Sequence, residues 1–150
     1  VTDTRVICQN TFAMAMEDMS TRLRHKAGVN EQALKITETI EFVNQRMANY
    51  AKAAETLATT PATVSQVDEL IRSAYGKKEN ETVRNRDEIV NLFFSGKGNE
   101  GRTMWDAFNA ITEFNTHASG KTAETRFGYS NFGTGARVAR RAIDRALAFA

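Results

Sequence analysis

Apolar residues recur along most of this chain at helical intervals. Ala33, Ile36, Ile40, Val43, Met47, Tyr50, Ala54 and Leu57 alternate steps of three and four. That rhythm lays one seam along a long helix beginning after Asn30, with a bundle contact as its use. Thr59-Thr60-Pro61 closes it, because the residue before a proline is pushed out of helical geometry. Pro61 then suits the start of a second helix carrying Val64, Val67, Leu70, Ile71 and Tyr75 up to Gly76. Val83 to Phe94 and Met104 to His117 read as two further helices, joined through Gly96, Gly98 and Gly101. Ser119 to Gly135, with four glycines and three aromatics, reads as the loosest stretch. Arg137 to Phe149 reads as a last amphipathic helix.

The first 28 residues follow another rhythm. Thr4 to Cys8 is short, β-branched and apolar, the pattern of a strand. Asn10 or Thr11 can cap a helix bearing Phe12, Ala15, Met16 and Met19. From Thr21 to Lys26 the alternation has period two, with Arg22, Arg24 and Lys26 on one side. The expected fold is mainly α within an α+β plan. A helical bundle of about five helices joins a short two-strand N-terminal β element, all in one domain over residues 1–150, with the seam helix as its spine.

Composition narrows the class. One proline and nine glycines are too few turn-formers for an all-β chain of 150 residues. The lone Cys8 excludes an internal disulfide and reads as a small buried hydrophobe. No apolar run approaches the ~20 residues that cross a bilayer, and no charged-then-apolar leader opens the chain. The expectation is a cytoplasmic protein without a membrane partner. The start at Val1 reads as a cut from a longer polypeptide.

A net charge of +2 is too small to argue for a polyanion. Its distribution says more. Residues 121–150 hold six bases against two acids, whereas acids slightly outnumber bases from 61 to 100. Arg137, Arg140, Arg141 and Arg145 spread over one side of the last helix. Such a face neutralises phosphates by releasing counterions. Phe127, Tyr129 and Phe132 precede it, and aromatics near arginines stack on unpaired bases. Arg22, Arg24 and Lys26 supply a second strip. The competing reading is a solvated arginine face beside core aromatics.

Other motifs are weaker. Gly96-Lys97-Gly98-Asn99-Glu100-Gly101 spells G-x-G-x-x-G, but a dinucleotide loop must follow a strand, and here a helix precedes it. Ser119-Gly120-Lys121-Thr122 resembles the end of a phosphate-cradling loop, yet Asn115 stands where its first glycine belongs. Trp105, Asn109, Glu113 and His117 recur every four residues on one helix face. Glu113 and His117 could act as acid and base, or the four could form a buried polar cluster orienting the helix. One Glu and one His do not complete a metal site. No metal, cofactor or catalytic residue is assigned.

Several stretches together resemble a known family. They are Arg5-Val6-Ile7-Cys8-Gln9-Asn10-Thr11, Arg22-Leu23-Arg24-His25, Thr103-Met104-Trp105 through Asn109 to Phe114 and His117, and Phe132-Gly133-Thr134-Gly135-Ala136. The family is the uncharacterised phage/plasmid-like protein family, a domain of unknown function. Phe114 and Thr116 depart from its pattern, where tyrosine and an acid are expected, and both departures weigh against acid–base chemistry at that helix. The resemblance implies a mobile-element setting and a further N-terminal part with more strands, and no settled activity. The leading expectation is nucleic-acid binding, with single-stranded DNA as one candidate and the strand preference left open, in replication or recombination of the element. The alternative is a helical interaction or self-assembly module forming a homo-oligomer through the Ala33–Leu57 seam.

Overall fold

A computed structural model describes residues 29–118 and 122–150, with side chains at 34–117, 122, 125, 126 and 128–150. Both expected strands, 4–8 and 21–26, and the helix between them lie outside the described residues. Among the described residues the chain is mainly helical and forms no strand. Six α-helices occur there: α1 Val29–Thr59, α2 Val64–Ala74, α3 Arg86–Ser95, α4 Met104–Glu113, α5 Ala123–Asn131 and α6 Thr134–Leu147. A π-helical turn, Phe114–Ala118, continues α4.

α1 is the long helix that the seam predicts, about 46 Å at 1.5 Å per residue. It is not the spine. Only its last three turns join the core: Leu57 is fully buried, and the Tyr50 ring meets Trp105 edge-on at 6.3 Å. Further back the same seam is open, with Ile36 at 48%, Ile40 at 53% and Met47 at 45% exposure. Periodicity identifies an apolar stripe but not what covers it.

The spine is α4. Met104, Ala107, Phe108, Ala110 and Ile111 are all buried, so apolar contact surrounds most of its circumference. Its start is fixed by Thr103, whose hydroxyl accepts the Asp106 N–H, while the buried Asp106 carboxylate accepts the N–H groups of Thr103 and Arg102 at 3.0 and 2.9 Å. This reciprocal cap satisfies orphan donors of the first turn.

Pro61 does not begin α2. It is extended and pairs antiparallel with Thr103: Ala62 N–H donates to Arg102 O and Met104 N–H to Thr60 O, each 2.9 Å. The bridge ties the α1–α2 link to the start of α4. Thr63 and Gln66 cap α2 instead, with their side chains and backbones bonded reciprocally. Val67, Leu70, Ile71 and Ala74 form its buried face. Gly76 ends it in the left-handed region (φ 66°), which admits the closing bond from Lys77 N–H to Arg72 O at 2.8 Å.

α3 starts at Arg86 rather than Val83, which is buried in the preceding turn. Ile89 and Phe93 are its core residues. Asp68 on α2 pins it, accepting from Arg86 at 2.7 Å and also from Arg72. Burial alone would raise the Asp68 pKa; the hydrogen bonds and charges of the two guanidiniums outweigh it and hold the carboxyl below its ordinary value.

The stretch expected to be loosest contains α5. Thr122 opens it by accepting the Thr125 N–H, and its single glycine, Gly128, is exposed. α6 begins at Thr134 and ends at Leu147. Ala136, Val138, Ala139, Ala142, Ile143 and Ala146 are buried, and this mostly small face lets α6 pack closely on α2, α4 and α5.

Candidate nucleic-acid interface

The buried face of α6 dictates where its arginines go. With the alanines turned inward, Arg137, Arg140 and Arg141 are exposed. Arg137 donates to the Thr134 hydroxyl at 3.0 Å, a bond within its own helix. The guanidinium of Arg141 lies across Gly76, with Nη1 2.8 Å from where a side-chain carbon there would stand. A side chain at position 76 would make that guanidinium shift, and the φ of 66° would strain it in any case. Arg141 therefore extends the cationic face onto the turn bearing Lys77 and Lys78, both exposed.

Arg145 differs. It is ion-paired with Glu69 of α2, and its guanidinium lies 4.8 Å from the centre of the Phe149 ring. The fourth arginine of the strip is thus engaged with an acid. Arg22, Arg24 and Lys26 lie outside the described residues. The aromatics preceding α6 separate. Tyr129 is half-buried, and burial raises its pKa. Phe132, at the corner between α5 and α6, is 74% exposed. The Phe127 side chain lies outside the description.

Below Arg145 opens a cleft of about 600 Å³, walled by Ser65, Glu69, Arg72, Ser73, Lys77 and Glu79. Nothing in the spacing of α2 announces it. Ser65, Glu69, Arg72 and Ser73 occupy ordinary outward positions of an amphipathic helix, and only its packing beside α6 makes them a wall.

The polar series on α4 is not assembled as one cluster. Trp105 is half-buried between Tyr50 and Phe108. Asn109 is half-buried, its backbone carbonyl accepting from the Thr112 hydroxyl. Glu113 turns to the glycine loop: Oε2 accepts the Lys97 N–H at 3.2 Å and lies 2.5 Å from where a Gly96 side chain would begin. His117 is exposed, and its backbone carbonyl accepts from Arg126. Among the described residues no hydrogen bond joins Glu113 to His117. Glu113 is held by the glycine loop while His117 stands in water, so sharing a helix face does not bring the two side chains together.

The G-x-G-x-x-G segment is the connector between α3 and α4, as the preceding helix requires. The Asn99 amide donates to Leu92 O at 2.8 Å and closes the end of α3. Sequence reasoning missed a different polar group. Asn115 is 1% exposed; its side-chain carbonyl accepts from the Tyr75 hydroxyl at 3.0 Å, and its backbone carbonyl from Ser130 at 3.3 Å. Burial first, then the neighbouring Tyr129, raise the Tyr75 pKa against the Asn115 bond. These bonds tie the π turn to α2 and α5, a structural task. Among the described residues no three His, Cys, Asp or Glu converge as a metal site, and no helix is long and apolar enough to cross a membrane.

Fold and surface define a mainly helical domain with an arginine-bearing helix face. The chain belongs to the family described as Domain of unknown function (DUF932), which matches residues 1–146. No curated protein and no solved structure matches it.

Proposed function

We propose that this chain binds nucleic acid, single strands above all, through the outer face of α6, in the replication or recombination of a mobile element. The observation that carries this reading is the juxtaposition of exposed Arg137, Arg140 and Arg141 with the 74%-exposed Phe132 at the head of their helix. Arg137 and Arg141 are one helical turn apart, about 6 Å along the axis, a spacing that lets them serve successive phosphates. Phe132 offers a ring to an unpaired base, and base–aromatic stacking tolerates any sequence. The mobile-element setting rests on the family resemblance of the sequence alone. Binding to fluorescent single- and double-stranded DNA over a range of salt tests the proposal. Three phosphate contacts on a single strand predict a slope of log K against log salt of about −2. No binding to either DNA at low salt ends the reading.

A second reading is self-assembly, favoured by the open half of the α1 seam. Two α1 helices laid antiparallel pair Ile36 of one copy with Met47 of the other, and Ile40 with Val43. The flanking Thr37, Thr39, Asn44 and Arg46 set no like charges opposite each other in that pairing. Light scattering is expected to return twice the mass of one chain. A monomer whose mass does not change with concentration counts against this reading.

A further inference from the structure

We propose that the cleft between α2 and the end of α6 receives a phosphate monoester, the phosphorylated end of a nucleic-acid strand lying on the arginine face. The inference rests on the nucleic-acid reading and gives its footprint a terminus.

Three observations meet in the cleft. The first is position. Arg137, Arg141 and Arg145 follow one another at four-residue intervals along α6, so a strand tracking the first two is led to the third. Arg145 lines the cleft. The second is donor chemistry. Arg145, Lys77, Ser65 and Ser73 line one space of about 600 Å³, enough for a phosphate with its sugar; the Lys77 ammonium, paired with Glu81 at 3.3 Å, is in as open an ion pair as Arg145. A terminal monoester presents three acceptor oxygens and close to two negative charges, against one charge for an internal phosphate. The third is the carboxylate already there. Glu69 holds Arg145 as a phosphate oxygen would, and the two side chains are 45% and 40% exposed. An ion pair that open to water is weakly held, so a dianion can displace the carboxylate.

The acids also explain why the group is terminal. Glu69 and Glu79 share the cleft with the cations. A continuing strand would carry further phosphates past both carboxylates, whereas a strand end brings its charge to the cations and stops.

The test compares short fluorescent single strands that are unphosphorylated, 5′-phosphorylated or 3′-phosphorylated, bound by the full chain at constant ionic strength. One phosphorylated form is expected to bind roughly tenfold more tightly than the plain strand, the gain of a charge-assisted contact. Glu69→Gln, which removes the competing charge, should widen that ratio. Lys77→Met should bring it towards one. Inorganic phosphate added as competitor should weaken the phosphorylated strand and spare the plain one. Equal affinity for all three strands overturns the inference and leaves the arginine-face reading standing. Competition by inorganic phosphate without preference for a phosphorylated end assigns the cleft to a free anion and overturns the strand-end assignment. Failure of every strand to bind removes both readings together.

Discussion

Phe93→Ala is expected to lower the stability of the chain by about 3–5 kcal/mol, the usual cost of truncating a buried aromatic. Phe93 is 1% exposed and belongs to the same core as Ile111 and Phe114. The ring of its neighbour Phe94 stands edge-on at 4.9 Å. Removing the ring forfeits its transfer from water and leaves a cavity, because the surrounding helices cannot fully close on it. Domains of this size are stable by only about 5–15 kcal/mol, so the loss is a large share of the total. Urea denaturation followed by circular dichroism measures it. The midpoint should fall while the slope stays constant. Phe94→Ala is the control: Phe94 is 51% exposed, and its loss should cost about 1 kcal/mol or less. Equal effects of the two replacements would mean that α3 does not pack with Phe93 inward.

Replacing Arg137, Arg140 and Arg141 together by glutamine should weaken single-strand binding about a hundredfold at 0.1 M salt, because three lost phosphate contacts reduce the salt slope by about two. The three side chains are exposed, so the fold should survive, and an unchanged urea midpoint verifies that. Phe132→Ala separates stacking from charge. It should weaken single-strand binding by about 1–3 kcal/mol with the salt slope unaltered. A triple variant that binds as tightly as the wild type would remove α6 from the interface, whatever else the chain does with DNA.

Much of this molecule was legible in its residues, though unevenly. The periods gave α1, α2, α3, α4 and α6 within a few residues, because each buries a stripe at helical spacing. The α5 helix stayed hidden because glycine and aromatic residues suggest a loop, and what stabilises it is packing against α6 and the π turn. The Ala33–Leu57 seam was read correctly as a helix and wrongly as the spine. A stripe of apolar residues says which face is apolar, while the depth to which α4 is surrounded depends on every other helix. The arginine face was legible as a face. The engagement of Arg145 was not, since Glu69 is 76 residues away and only the fold brings it near. Phe132 and Tyr129 looked alike in the chain. One is open to solvent and the other is half-buried, a difference set by the α5–α6 corner.

The widened turn at Phe114–Ala118 has a consequence for how the chain can vary. It is equivalent to one extra residue let into a continuous helix. Deleting a residue there would wind the segment back into regular α-helical phase. It would draw Asn115 out of reach of Tyr75 and Ser130, so the fastening of α2 and α5 would fail. The irregular turn and the buried amide therefore stand or fall as one unit, and length changes are better borne in the glycine loop before α4 than in the five residues after it.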